Sequence, residues 1–117
     1  MTLEERLTSL LRGICPNIYR TVAPFDAPRP YVTYQRIGGN SLVWMDNTLA
    51  DKRNALCQIN TWAEDPAQSD ALIQAIESAL LASPDLKAEP QGESQDASEP
   101  DMELYGARQD WSIWADR

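Results

Sequence analysis

The chain has 117 residues, of which 43% are hydrophobic, and a formal net charge of −8 at pH 7. This length and composition predict one globular domain, residues 1–117, with one hydrophobic core. The negative charge repels nucleic-acid phosphates and argues against a dedicated nucleic-acid reader. No apolar run reaches the ~18 residues that a membrane-spanning helix needs, so no membrane partner is expected. Glu4 and Glu5 stand where a signal peptide carries basic residues, so we expect the protein to stay in the cytoplasm.

The histidine and cysteine content limits the catalytic and metal-binding chemistry that the chain can perform. The sequence has no histidine, which removes histidine-based triads, histidine acid–base catalysis and histidine-ligated zinc. Its two cysteines, Cys15 and Cys57, lack C-x-x-C spacing and fall on different predicted elements. We expect both to be small buried hydrophobic residues; a disulfide or a reactive thiol is the alternative.

The N-terminal segment has the start and stop signals of a helix. Thr2 and Glu5 have the spacing of a capping box, in which each side chain satisfies a free backbone N–H of the first turn. Gly13 and Pro16 end the helix. Apolar residues recur between these signals with helical periodicity and are expected to pack in the core. These residues are Leu3, Leu7, Leu10, Leu11 and Ile14.

Two β-rich segments follow, joined by a long connection. Residues 31–37 and 55–62 are rich in β-branched and aromatic residues and predict an antiparallel pair. Residues 18–22 are a candidate short strand, and the proline-rich segment 24–30 is a loop. In the second long strand, alternation places Cys57 with Ile59 and Thr61 on one face and Trp62 on the other.

The connection between these strands, the arm loop of residues 38–53, is longer than a hairpin needs. It contains Trp44 and Met45, and two interpretations stay open. In one, residues 42–45 extend the first strand beyond a glycine bulge and Trp44 folds onto the core. In the other, the loop is an arm whose Trp44 and Met45 dock on another protein, as such residues do at interfaces.

A second helix and two further strands complete the pattern. Asp65 caps the helix, Pro66 suits its first position, and Pro84 closes the element. Residues 86–89 are a weak strand, and residues 104–115 form a longer one. In this last strand, alternation assigns Trp111 to the core and Trp114 to the opposite face.

Acidic residues crowd the segment between these last two strands. Residues 90–101 contain no apolar side chain larger than alanine, so the segment buries too little surface to offset the entropy of ordering. We therefore predict a flexible acidic loop at about 90–101. Its carboxylates are Glu93, Asp96, Glu99 and Asp101.

The element order predicts an α+β fold, with an antiparallel sheet of about four strands and two helices packed on one face. The second face of such a sheet is uncovered. Tyr34, Trp62 and Trp114 are expected there and would give that face a large apolar area, as in a protein that assembles.

The sequence resembles the tail-completion proteins of bacteriophages and prophages, also called tail-to-head joining or tail-terminator proteins. The resemblance spans nearly the whole chain and depends on the order and spacing of several segments. These segments are the opening helix 3–11, Asn17-Ile18-Tyr19, the strand 30–37, Cys57-Gln58-Ile59-Asn60-Thr61-Trp62-Ala63 with the helix 67–81, and Asp110-Trp111-Ser112-Ile113-Trp114. The acidic segment 90–101 departs from the compact pattern of the family.

The resemblance implies a structural protein without enzymatic activity, cofactor or metal. It implies a ring, of six subunits in the family, that caps the tail tube and joins it to head-completion or connector proteins. DNA would pass through without specific binding. The protein would act in the host cytoplasm during assembly and in the virion tail afterwards. Contacts in a cyclic ring need two different patches, and the candidates are Trp44 and Met45 on the arm and Trp62 and Trp114 on the sheet.

Two other classes of function stay open. A small acidic inhibitor or DNA mimic would use the same negative charge, although such proteins usually spread carboxylates over a rigid surface. An enzyme is less favoured, because the sequence has no glycine-rich phosphate loop and no close acidic motif on a recognisable element.

Overall fold

The computed structural model describes residues 2–41, 43–49, 51–99 and 102–116. Two helices and six strands are formed within these ranges. In chain order they are α1 (Leu3–Arg12), β1 (Ile18–Arg20), β2 (Tyr31–Gly38), β3 (Lys52–Ala63), α2 (Pro66–Ala82), β4 (Lys87–Pro90), β5 (Gln95–Glu99) and β6 (Leu104–Asp116).

The strands form one mixed sheet in the order β1-β2-β3-β6-β4, with β5 also paired to β6. All pairs are antiparallel except β1 with β2, which run parallel. The predicted α+β class is confirmed, but the prediction of about four antiparallel strands is wrong in number and for that one pair. The additional strands are three to five residues long, too short to give a clear periodicity in the sequence.

The centre of the sheet is the long pairing of β3 with β6. Their register is unbroken from Lys52 opposite Asp116 to Ala63 opposite Tyr105. Burial alternates along both strands, so one face of the ribbon lies in the core. Ile59 and Trp111 are fully buried on that face, as the alternation of the sequence predicts.

Both helices cover this same face. Thr2 Oγ1 accepts a hydrogen bond from the backbone N–H of Glu5 at 3.1 Å, which is the Thr2 half of the predicted capping box, and the Thr2 hydroxyl donates to the Glu5 carboxylate at 3.2 Å. In α2, an oxygen of Asp65 accepts from the backbone N–H of Gln68 at 2.8 Å. The buried stripes of the two helices join the sheet residues in one hydrophobic core. Their members are Leu3, Leu7 and Leu11 of α1 and Ile73, Ile76 and Leu80 of α2.

Tyr34 lies on the helix-covered face, so its predicted place on the uncovered face is wrong. Its partner across the β2–β3 pair is Ile59, and directly opposed residues of an antiparallel pair share a face. The Tyr34 hydroxyl lies 2.8 Å from the hydroxyl of Thr8 on α1. A hydroxyl partner on the helix allows a polar tip to be buried there.

The acidic segment contains a strand, so the prediction of a loop throughout 90–101 is wrong for residues 95–99. β5 pairs with β6 from Gln95 opposite Arg108 to Glu99 opposite Leu104. The carboxylates of Asp96 and Glu99 therefore project from a strand, and Glu93 lies just before it. Asp101 falls outside the described residues. The flexibility of the segment stays a prediction.

The position of β5 explains how such a polar segment can form a strand. β4 and β5 follow one another along the same side of β6, and the backbone N–H of Gln91 donates to the carbonyl of Asp110 at 2.9 Å between them. An edge strand gains its stability from backbone pairing and needs few apolar side chains. Charges on such an edge also oppose unwanted strand pairing.

The two cysteines are free and buried, as expected. Burial raises the pKa of the Cys57 thiol to about 11, with a smaller contribution from the negative charge of Glu4. A thiol with this pKa is protonated at neutral pH and is a poor nucleophile. Neither helix in the described ranges has both the length and the apolar character that a membrane span requires.

We expect Trp111→Ala to lower the free energy of unfolding by about 3–5 kcal/mol, because it leaves a large cavity in a close-packed core. Trp44→Ala is the matched control, since Trp44 is 59% exposed whereas Trp111 is 0% exposed. Urea unfolding of both variants measures the difference. Equal, severe losses at the two positions would contradict this assignment of the core.

Candidate functional site

The arm is a short hairpin-like excursion between the end of β2 and the start of β3. Val43 and Leu49 form an antiparallel bridge, and the backbone N–H of Trp44 donates to the carbonyl of Thr48 at 2.8 Å. The Asp46 carboxylate accepts from the backbone and the hydroxyl of Thr48 at 3.1 and 2.6 Å, which tightens the turn. These hydrogen bonds lower the pKa of Asp46. Local polar contacts thus shape the turn and leave its apolar side chains outside the core.

The apolar side chains of the arm are exposed. Trp44 is 59% exposed and Met45 is fully exposed, with Val43 and Leu49 more than half exposed. The interpretation in which Trp44 folds onto the core is therefore wrong. Several adjacent apolar side chains in water are typical of an interaction site. Docking of the arm on another protein stays a prediction.

The base of the arm is fixed to the sheet through Asn54. This buried side chain accepts a hydrogen bond from the backbone N–H of Asn40 at 2.8 Å and donates to Ser112 Oγ and the Ile113 carbonyl at 3.0 and 3.2 Å. Gly39, with φ of +143°, passes so close that a Cβ there would lie 2.5 Å from the Asn54 carbonyl oxygen. Sequence reasoning missed Asn54. Its signal was a polar residue at the start of a β-rich run.

The uncovered face of the sheet carries the other predicted tryptophans. Trp62 pairs with Gly106 and Trp114 pairs with Asn54, so both lie on this face at opposite ends of the β3–β6 ribbon. Eight residues separate the two pairs, or roughly 26 Å along a strand. Both side chains are half-buried.

The centre of this face is polar, which corrects the expectation of a large apolar area. The residues between the two tryptophans include Gln58, Asn60, Arg108 and Asp110. Two separate aromatic sites at the ends of a polar surface are therefore present, rather than one continuous patch.

Part of the Trp62 ring is covered by a contact within the chain. Its ring lies over the backbone of Gly106, where an added Cβ would be 2.8 Å from the ring and 2.7 Å from the Thr61 carbonyl oxygen. Only glycine allows this approach. Trp62 is therefore held in place from within the chain, whereas the arm tryptophan is exposed at a turn.

A groove of about 710 Å³ lies at the Trp62 end of the uncovered face. Val22 and Phe25, just before and within the proline-rich loop, line it together with Ala97 and Glu99 of β5. Val22 and Phe25 are 75% and 89% exposed. Sequence reasoning assigned this loop no function, although an isolated phenylalanine among prolines was a usable signal.

A second concave surface lies where α1 meets β1 and β2 on the helix-covered side. This arginine pocket has a volume of about 910 Å³. Glu4 lies within this pocket and forms two ion pairs. Its Oε1 atom is 2.6 Å from Arg36 Nη1 and 3.5 Å from Arg53 Nη2. Burial raises the pKa of the Glu4 carboxyl. The hydrogen bond to Arg36 and other favourable interactions lower it by more, so the pKa of Glu4 lies below its ordinary value. The four arginines that line the pocket are Arg12, Arg20, Arg36 and Arg53.

Sequence reasoning missed the arginine pocket because its residues come from four separate elements. The pairing of β1 with β2, the pairing of β2 with β3 and the packing of α1 bring them together. Within the described ranges, no cluster of three or more histidine, cysteine, aspartate or glutamate residues has the geometry to hold a metal ion.

An exposed apolar arm, an uncovered sheet face and a charged pocket are typical of a protein that binds other macromolecules. The model of the family described as Tail completion protein gp17 matches residues 4–116, and the chain belongs to this family of structural phage tail proteins. The resemblance noted in the sequence is confirmed. A comparison with curated proteins finds no match.

We expect Gly106→Ala to destabilise the fold by about 1–3 kcal/mol, because backbone atoms on one side and the Trp62 ring on the other must move to admit a methyl group. Ser98→Ala, on the neighbouring edge strand, is the control and should change stability by less than about 0.5 kcal/mol. Thermal unfolding of both proteins measures this. Unaltered stability of Gly106→Ala would show that Trp62 does not pack against this site.

Proposed function

We propose that this tail completion protein assembles as a ring of six copies that caps the finished tail tube and joins it to the head-completion proteins. Family membership supports a role in the phage tail. The single structural observation that carries the proposal is the apolar arm, whose Trp44 and Met45 extend into solvent beyond the core. An isolated subunit gains nothing from exposing these side chains, whereas an assembling one buries them.

The arm supplies one of the two patches that a cyclic ring requires. Contacts around a ring are heterologous, so the arm of each subunit meets a different surface of its neighbour. The uncovered sheet face, with Trp62 and Trp114 at its ends, is our candidate for that second surface. A buried tryptophan commonly dominates the energy of such an interface.

The charge of the chain is consistent with a conduit for DNA. A net charge of −8 disfavours retention of a phosphate backbone, so DNA would pass through the ring without specific binding. The subunits would be made and assembled in the host cytoplasm and remain in the virion tail, in contact with the tail tube protein and the connector.

One feature of the fold favours the inhibitor or DNA-mimic alternative, because part of the acidic segment lies on a strand. Carboxylates on a strand resemble a fixed charged surface more closely than a loop does. Membership of a phage tail family nevertheless favours the structural role.

We expect Trp44→Asp to abolish ring formation while the subunit keeps its fold, because a charge buried in an interface without a partner is costly. Leu81→Asp is a matched control, since Leu81 is also 59% exposed but belongs to α2, on the helix-covered face of the sheet. Sedimentation and electron microscopy measure assembly, and complementation of a phage lacking the gene measures function. Trp114→Asp tests the sheet patch in the same way.

The expected phenotype is unjoined or overlong tails with Trp44→Asp and normal particles with Leu81→Asp. Normal tails and full infectivity from folded Trp44→Asp and Trp114→Asp would reject these two surfaces as the interface. Normal particles without any copy of the gene would reject the proposed role.

A further inference from the structure

The positive charge of this acidic protein is concentrated at one side of the sheet. Four of its ten basic residues line the arginine pocket, which lies at the β1 edge beneath α1. Glu4 engages Arg36 and Arg53. Arg12 and Arg20 are exposed in the same pocket, and neither forms an ion pair with another described residue. Glu5 also lines the pocket, so its four arginines and two glutamates give the lining a net charge of +2, with the guanidinium groups of Arg12 and Arg20 outside the ion pairs that Glu4 forms.

The negative charge is concentrated at the opposite side. The sheet order places β1 at one edge and β4 with β5 at the other. We call the edge formed by β4 and β5 the acidic edge. Its exposed carboxylates take no part in the ion pairs found among the described residues. They belong to Glu89, Glu93, Asp96, Glu99 and Glu103.

We propose that the arginine pocket binds the acidic edge of a second copy of this chain. The inference rests on the proposed function, because two complementary patches on opposite edges are what a closed head-to-tail ring needs. Guanidinium groups pair with carboxylates through two parallel hydrogen bonds, which gives such a contact direction as well as attraction. Successive copies would then be set side by side, with the sheet edges facing each other.

The charge pattern favours a second copy over DNA as the occupant of the pocket. Both complementary surfaces are present on the same chain, so every copy carries the partner that the pocket needs. A DNA duplex approaching the pocket would meet the field of a chain with a net charge of −8. The contact between copies should weaken as salt rises, because exposed charges are screened.

The proposal is tested by reversing the charge on each side separately. The pocket variant is Arg12→Glu with Arg20→Glu, and the edge variant is Asp96→Lys with Glu99→Lys. Each variant alone should fail to assemble at concentrations where the unaltered chain does, because its contact then joins like charges. An equal mixture of the two should regain assembly, with the variants alternating around a ring of even number.

Control variants separate the contact from overall charge. Arg6→Glu with Gln68→Glu and Ala71→Glu, all on the helices, changes the net charge as much as the pocket variant but leaves the pocket arginines and the acidic edge intact. Asp26→Lys with Asp70→Lys does the same for the edge variant. Both controls should assemble as the unaltered chain does. Circular dichroism and thermal unfolding confirm that every variant is folded, and sedimentation and electron microscopy record the assemblies.

Rescue in the mixture, together with assembly of the controls, would establish the contact. Normal assembly of each reversed variant on its own would overturn the proposed contact between pocket and edge, without contradicting the proposed ring. A pocket variant that assembles normally but loses retention of a DNA duplex would also overturn it, with DNA as the occupant. Linear oligomers with the expected charge dependence would support the contact and count against the closed ring, whereas an unaltered chain that never self-associates would reject both.

Discussion

The pairing of β3 with β6 determines which side chains of the sheet are buried and which face solvent. The two strands run side by side without a break in register from Lys52 and Asp116 to Ala63 and Tyr105. Because successive side chains alternate between faces, this one register decides which residues form the core and which lie on the uncovered face. A shift by one residue would expose Ile59 and Trp111 and bury charged Arg108 and Asp110, so the register is strongly fixed.

The same pairing sets where binding surfaces can form. Helices cover one face, which leaves the other face, the two sheet edges and the arm available to partners. Asn54, at the start of β3, connects the arm to β6 through its hydrogen bonds. The exposed Trp44 is therefore carried on a base that is tied to the centre of the sheet. A displayed side chain on a fixed base loses less conformational entropy on binding than one on a free loop.

The elements with strong local signals could be predicted from the sequence. Capping at Thr2 and Asp65 and the alternation around Trp111 depend on neighbouring residues, and each was confirmed. β5 could not be predicted, because its stability comes from backbone pairing with β6 and not from its own side chains. The arginine pocket could not be predicted from the sequence for a similar reason, since tertiary pairing alone brings its residues together. Tyr34 was placed on the wrong face because the β2–β3 register was unknown.

We propose that this chain forms a ring at the head-proximal end of the tail, and an image of that end would show whether the ring is there. Electron cryomicroscopy of phage particles carrying a tagged copy of the chain would locate it in the virion. We expect a closed ring of tagged density between the tail tube and the connector, with the Trp44 arm of each subunit buried against its neighbour. Tagged density elsewhere, or virions that lack the chain, would contradict the claim.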